Sequence, residues 1–351
     1  MKAEFISPQD SRWLEVLYRA RHDFYHLPDY VELCARHEGG EPIAFYAESG
    51  GAAFLAPVLI HDVPAALGAP VGWVDAATPY GYSTPILAPA SDAPSLESFL
   101  DVFRQVGVEH GIVTAFFRLH PLLPLPQSAL SKYGELIRHG HTVSIDLTLP
   151  FEDIWSQTRT NHKRDIRKLQ RDGFQPYMDR WELLGEFITI YEQTMERLAA
   201  SEFYFFSHDY FTELQTALGE RLHICSILAP TGETAAAGLF TSNDGIVQYH
   251  LGATNEDYLN RAPSKLMFEH VRRWAKEAGS HVLHLGGGVG GYEDSLFLFK
   301  AGFSKLRNDY YTYRMVLDEE KYAVLNATRR ELGALPEDDS EFFPVYRRPL
   351  V

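Results

Sequence analysis

The sequence predicts a two-unit α/β protein with mixed sheets, and three observations carry that expectation. A chain of 351 residues exceeds what one ordinary core fills, and a 45% hydrophobic, 13% aromatic composition supplies material for two. One order of elements is written twice: helix, helix, antiparallel meander, helix, strand, helix or loop, strand. Each meander is followed by a single crossover helix, which suits a mixed sheet better than a doubly wound parallel one.

In the first half, a helix is expected after Ser7-Pro8, a cap followed by a first-turn proline, and another after Pro28-Asp29. Strands follow over 42–48 and 52–60, split by Ser49-Gly50-Gly51, and another covers 70–75 before the irregular run Pro79 to Pro85. A helix over 94–108 and a buried strand over 112–117 lead through a Pro-rich passage, His120 to Pro126. A strand pair at 134–148, turned at His139-Gly140, ends the half. The second half opens with helices over 151–171, 181–197 and 208–218. Strands over 221–229, 234–242 and 246–253 are separated by Pro230-Thr-Gly232 and Asn243-Asp-Gly245. A helix over 263–279 stopped by Gly279, a strand over 281–285, a glycine-rich turn, a helix over 292–302 and a strand over 305–317 complete it. The expected division is therefore 1–150, 151–331 and a loosely held extension, 332–351, containing Glu337 to Glu341 and Pro344. The architecture is read as tandem acetyltransferase-like (GNAT-like) domains, with no heptad segment for a long coiled-coil insertion.

Composition narrows the function classes. With 47 acidic against 32 basic residues the formal charge is −15, so most of the surface repels polyanions and any phosphate contact must be local. Cys34 and Cys225 sit within apolar patterns and read as reduced core thiols of a cytoplasmic protein. Glu4, Pro8 and Asp10 interrupt the N-terminus where a signal peptide needs an apolar run, and no stretch reaches the roughly 18 apolar residues of a spanning helix. The 15 histidines form no H-E-x-x-H, no cysteine pair has ligand spacing, and no G-x-S-x-G elbow occurs. This pattern argues against a metal site and against a serine hydrolase.

The run Gly286-Gly-Gly-Val-Gly-Gly291 formally matches a dinucleotide fingerprint, yet it lies near the chain end with one strand to follow, where a Rossmann unit needs several. It reads either as a plain tight turn or as backbone amides, those of Gly286, Gly287 and Gly288 among them, that approach a phosphate or carboxylate. Tyr292, Glu293, Asp294 and Lys300 follow at once. Lys300 can equally serve as the cation that complements a helix C-terminus. Residues 155–171 concentrate Arg159, Lys163, Arg164, Arg167, Lys168 and Arg171, with Arg159, Lys163, Arg167 and Arg171 on one helical face. The face is either solvated or turned to phosphate or nucleic acid.

These pieces together resemble the Fem-like transferases, which include the peptidoglycan bridge-forming enzymes and allied GNAT-like acyltransferases. The resemblance is carried by His284 to Ser304 with its L-F-x-F-K-x-x-F-like ending, Tyr80-Gly-Tyr-Ser-Thr-Pro85, Phe117-Arg-Leu-His-Pro121 and Arg159 to Lys168. Tyr191 through Arg197, Phe203-Tyr-Phe205 and Tyr249-His-Leu-Gly252 complete the set, all in the family's order. It implies transfer of an acyl or aminoacyl group to an amine of a phosphate-bearing or nucleotide-linked acceptor such as a cell-wall precursor. Lys300 and Arg197 would contact its phosphates, with Tyr204, Tyr249, Tyr80 and Tyr82 as further substrate residues. Tyr80 and Tyr82 read either as walls of a cleft between the halves or as packing. No cofactor is expected to be tightly bound; the co-substrate is aminoacyl-tRNA, carried on Arg159, Lys163 and Arg167, or acyl-CoA. For acyl-CoA the equivalent helix start, Asn260 to Lys265, offers Arg261 and Lys265 but lacks glycines. Direct attack needs no enzyme nucleophile; Asp294, Glu293, His250 or the substrate itself is open as the proton acceptor. A coenzyme A-dependent N-acyltransferase and a non-catalytic ligand-binding protein are the alternatives.

Overall fold

The structure, a computed structural model, describes residues 1–90, 95–333 and 342–348. They form two compact units, Met1–His139 with Tyr310–Val351, and Gly140–Asp309. In chain order the elements are β1 (Lys2–Ile6), α1 (Ser11–Arg19), α2 (Pro28–Glu38), β2 (Glu41–Ser49), β3 (Ala52–Asp62), β4 (Val74–Ala77), β5 (Ile86–Ala88), α3 (Leu96–Glu109), β6 (Ile112–Arg118), α4 (Gln127–Leu130) and β7 (Glu135–Asp146). There follow α5 (Phe151–Gln157), α6 (Thr160–Arg171), β8 (Gln175–Met178), α7 (Leu184–Arg197), α8 (His208–Leu218), β9 (Leu222–Leu228), β10 (Thr234–Asn243), β11 (Ile246–Thr254), α9 (Ser264–Glu277), β12 (Val282–Gly286), α10 (Ser295–Lys300), β13 (Leu306–Val316) and α11 (Glu319–Leu332).

In the first unit the strands lie in the order β1-β2-β3-β4-β6-β13, with β5 on β3. The β2–β3 hairpin turns on Gly50 and Gly51, both at positive φ, as a tight primed turn demands. Helix α3 presents Leu96, Phe99, Leu100 and Phe103 at helical spacing and buries them on Phe45, Phe54 and Phe117. Phe54 and Phe99 stack with centroids 5.7 Å apart. In the second unit the order is β7-β12-β11-β10-β9-β8. One face of that sheet packs Val143, Ile145, Phe240, Val247 and Leu283 against Ile154, Ile166, Phe268 and Phe297 of α5, α6, α9 and α10. On the other face lie α7 and α8, tied by an aromatic cluster of Phe187, Tyr191, Phe206 and Phe211. Each unit has one parallel pair, β4–β6 bridged by α3 and β11–β12 bridged by α9, within otherwise antiparallel ladders. The tandem mixed-sheet expectation holds.

Several boundaries differ from the sequence reading. Residues 134–148 form no hairpin at His139-Gly140; β7 runs straight through. Gly140 is glycine for another reason, because a Cβ there would overlap the carbonyl of Gly291. The closing strands are exchanged: Val143 to Asp146 of β7 pair with β12 in the second unit, and Thr312 to Val316 of β13 pair with β6 in the first. A division at 150/151 thus splits neither sheet where its hydrogen bonds do. The expected helix over 151–171 breaks at Thr158, whose backbone is extended. Five elements, β1, β5, α4, β8 and α11, have no counterpart in the reading. The expected loose tail is not loose over 342–348, while Glu337 to Glu341 lies outside the described residues. Tyr346 is buried against Tyr322. The buried Asp75 carboxylate accepts from the Tyr346 hydroxyl, from Arg347 Nε at 2.6 Å and from Thr114 Oγ1 at 2.7 Å.

Tyr346→Ala should lower unfolding free energy by about 3 kcal/mol, the cost of emptying an aromatic core position. Tyr346→Phe should cost only about 1–2 kcal/mol, the loss of one hydrogen bond to a buried carboxylate. Urea unfolding of both variants checks the order; equal, negligible effects would show that the segment is not docked.

Candidate functional site

Parallel strands β11 and β12 pair only over Ile246–Gln248 and Val282–His284, although β11 continues to Thr254. A β-bulge stands at each side of the point where they part. On β11, Leu251 opposes Leu239 and Tyr249 opposes Phe240, so His250 is the extra residue. On β12, His284 opposes Ser144 and Gly286 opposes Val143, so Leu285 is the extra one. Bulges bend strands and increase local twist, so the pair opens into a wedge at its carboxyl end. In mixed sheets that edge is where ligands are received.

Lys300 fills this parting. Its Nζ donates to the Gly287 carbonyl at 2.7 Å, just beyond β12, and lies 5.5 Å from the Tyr249 ring centroid, just past the last paired residue of β11. The side chain is buried at 6% exposure. Burial pushes the ammonium down to about 8, against the opposing pull of Asp294. Burial likewise raises the Tyr249 phenol to about 12. That ring needs the bare backbone of Gly252, because a Cβ there would overlap the phenol oxygen. Gly252 was legible only as part of the Tyr249-His-Leu-Gly252 string, with no signal of its job.

The glycine run is held from inside. Asp294 caps α10, accepting from Phe297 N at 2.9 Å and from Val289 N at 3.0 Å. Burial would raise its carboxyl, but the amides of Phe297, Val289 and Leu296 and the nearby Lys300 outweigh it and hold the group below its ordinary value. Asp294 therefore serves as a loop cap with an amide on each oxygen, and a carboxylate held below its ordinary value is a weaker base. Gly288 cannot carry a side chain, since a Cβ would overlap the Tyr292 carbonyl and the Asp294 carboxylate. Gly286 and Gly290 adopt positive φ. Lys300 and Asp294 both bond to the loop, the ammonium through the Gly287 carbonyl and the carboxylate through the Val289 amide. Glu293 bonds His141 Nδ1 at 2.8 Å, which ties the loop to β7. Sequence reasoning missed His141, and spacing offers no signal for it.

The structure does not gather the other predicted residues here. His250 lies on the opposite face, its Nε2 3.5 Å from the Tyr210 hydroxyl on α8, so it does not share Lys300's surroundings as a proton acceptor. Arg197, exposed at the end of α7, reaches Thr194 Oγ1 at 3.3 Å, and Thr194 in turn reaches the carbonyl of Thr254 at the end of β11. Tyr204 lends its carbonyl to the Tyr191 hydroxyl at 2.9 Å. In the first unit, the Tyr80 amide donates to Glu38 at 2.9 Å, and Tyr82 meets Tyr25, His120 and Tyr310 edge-on.

Lys265, nearly buried at the start of α9, donates to Asp165 Oδ2 at 2.6 Å, and Arg261 is paired with Asp172 over the Phe174 ring. On α6, Lys163, Arg164, Arg167 and Arg171, with Thr160 and Gln170, line a shallow depression of about 630 Å³. Lys163 and Arg167 both stand over the Trp155 ring. Arg159 is turned inward at its backbone, donating to Gly302, while its guanidinium reaches the Leu298 carbonyl at 3.1 Å. Among the described residues, no group of three or more His, Cys, Asp or Glu is arranged for a metal ion. No described helix is long and apolar enough to cross a membrane.

Residues 156–294 match the acetyltransferase (GNAT) domain family. Among solved structures, the chain is similar to FemX at 13% identity and a TM-score of 0.70, covering 92% of this chain and 99% of that one. It is also similar to L-PGS from Bacillus licheniformis, at 16% identity, a TM-score of 0.59 and coverage of 92% and 97%. A third likeness is to the C-terminal domain of a putative lysylphosphatidylglycerol synthetase from Agrobacterium fabrum, at 16% identity, a TM-score of 0.54 and coverage of 90% and 93%. No curated protein matches the sequence significantly. At these identities the structural likeness is one of fold. The chain has a Fem-like, GNAT-type fold, and the stretch that matches the GNAT domain family lies in its second unit.

Lys300 sets a pH signature. Below about pH 8 both the folded and unfolded chains keep its proton, and the burial penalty is present in full. As pH rises from about 8 toward 10.5, the folded chain loses the proton first, so this group's contribution to stability rises with pH. Wild type should gain about 3 kcal/mol relative to Lys300→Met across that window. Paired denaturant titrations at pH 7.5 and 10 measure the difference; parallel curves would mean that the ammonium is solvated.

Proposed function

We propose that this chain is an acyl- or aminoacyl-transferase of the Fem type, which moves an activated acyl group to an amine of a phosphate-bearing acceptor at the β11–β12 parting. The observation that carries the reading is Lys300, an ammonium buried between Gly287 on one strand's end and Tyr249 on the other. A buried cation at a strand parting is costly unless it serves charge that develops beside it, and acyl transfer develops such charge on the carbonyl oxygen. The acceptor amine forms the C–N bond as the donor's C–O or C–S bond breaks. The departing oxygen or sulfur takes up a proton, and the amine sheds one to solvent or to the substrate itself. No Ser or Cys nucleophile is required.

Charge placement favours aminoacyl-tRNA over acyl-CoA as donor. The two cations at the start of α9, where a pyrophosphate would be received, are already paired with Asp165 and Asp172. On α6, Lys163, Arg167 and Arg171 line an open depression together with Arg164, which pairs with Asp165, on a chain of net charge −15. A local basic face on an acidic protein suits a polyanion that must be steered to one place. The acyl-CoA reading is supported by the GNAT domain match itself. A nucleotide-linked cell-wall precursor is the acceptor class that fits the Fem resemblance.

Incubation with a mixed acceptor extract, offering charged tRNA and acyl-CoA in parallel, should yield an aminoacylated product by mass spectrometry with the tRNA only. Arg167→Glu with Arg171→Glu should raise the KM for charged tRNA about tenfold or more and flatten its salt dependence. Product from acyl-CoA alone would replace the leading donor by the second one. An unchanged KM would detach α6 from the donor.

A further inference from the structure

We infer that His162 is a positioning residue for Lys300, through which the start of α6 holds the end of α10 and keeps the ammonium in the β11–β12 parting. A helix of six residues cannot stand on its own hydrogen bonds, because most of its carbonyls fall in the last turn without intrahelical partners. Asp294 secures the first turn. At the other end the start of α6 supplies the missing donors. His162 Nε2 donates to the Phe299 carbonyl at 3.0 Å, the Arg159 guanidinium to the Leu298 carbonyl at 3.1 Å, and the Arg159 amide to the Gly302 carbonyl at 2.8 Å. Those carbonyls bracket Lys300, two before it and one after.

The packing is built around the imidazole. His162 is buried, with its ring centroid 5.5 Å from that of Phe299 and 4.8 Å from that of Phe303. A Cβ at Gly302 would overlap the ring, so the chain is bare where α6 meets the end of α10. Burial, with Lys265 and Arg159 nearby, holds the imidazole below its ordinary value against the pull of the Phe299 bond and of Asp165. The ring therefore stays neutral above pH 7 and keeps one N–H for that carbonyl. Of the two side-chain bonds, that of Arg159 is exposed and that of His162 is shielded, so His162 carries the larger share. With its backbone fixed on both sides, Lys300 has one direction in which to extend, toward the Gly287 carbonyl. A loosened helix end lets the ammonium turn to water. The inference rests on the proposed transfer reaction only for the task of Lys300, and it is tested without any turnover.

Trace acetylation of the full chain with acetic anhydride across about pH 7 to 10.5, read by peptide mass spectrometry, gives the titration midpoint of the Lys300 amine. The exposed Lys305 is the reference in the same digest. Wild type should titrate at about 8. His162→Leu keeps bulk and removes the donor, and it should bring the midpoint to about 9.5 or above. His162→Gln, whose amide N–H can reach the same carbonyl, should return it to within about 0.5 of wild type. Thermal melting checks folding, and His162→Asn, with an amide too short for the Phe299 carbonyl, is read in the same way if the leucine variant does not fold. A leucine variant that titrates like wild type would overturn the inference and leave the reading of Lys300 standing. Equal shifts in the leucine and glutamine variants would make His162 a packing residue and overturn it as well. A wild-type midpoint near that of a solvated lysine would remove Lys300 from the parting and overturn both ideas. Failure of the transfer assay with the labelling as expected sinks the proposed reaction alone.

Discussion

The second unit is organised by one discontinuity, the point after Gln248 and His284 where two parallel strands stop sharing hydrogen bonds. A parted pair exposes backbone polar groups that something must meet, and the chain answers with an ammonium from α10. Its other requirements follow. The lysine must be delivered at the end of a short helix, so Asp294 caps that helix and pins the loop before it. The loop must turn twice in a few residues without side chains, so glycine is spent at 286, 288 and 290. The Tyr249 ring must lie flat against β11, so Gly252 is bare.

The first unit shows what the same architecture does without that discontinuity. Its parallel pair, β4 and β6, stays tied past the end of β4. The Thr78 amide donates to the Phe116 carbonyl at 2.9 Å, the Arg118 amide to Thr78 Oγ1 at 3.0 Å, and Arg118 Nη1 to the Thr78 carbonyl at 2.9 Å. A threonine and an arginine zip the strands where the second unit leaves them apart. The two units thus share a plan and differ at this point.

What the sequence made legible was local. Ser49-Gly50-Gly51 and Asn243-Asp-Gly245 announce their hairpins because turn geometry is decided within a few residues. The apolar spacing of α3 and α9 announces crossover helices for the same reason. The glycine run stood out by its own spacing and Tyr249 through family likeness, while spacing alone left Lys300 indistinguishable from an ordinary helix-end cation. What stayed hidden is non-local. Gly140 looked like a turn because its partner, the carbonyl of Gly291, is far along the chain. Asp294 looked like a base because its hydrogen-bonding amides cannot be inferred from composition. His250 stood open as a proton acceptor because the bulge and strand alternation that put it beside Tyr210 are not visible in the spacing.

The exchange of β7 and β13 between the two sheets also has a bearing on biosynthesis. The ladder that begins with Lys2 lacks its last strand until translation has passed Val316, so the opening stretch of polypeptide must wait, with β6 as an unfinished edge, while nearly everything else is made. Emergence from the ribosome and completion of structure run in different orders here, since β6 is made well before the strand that covers it.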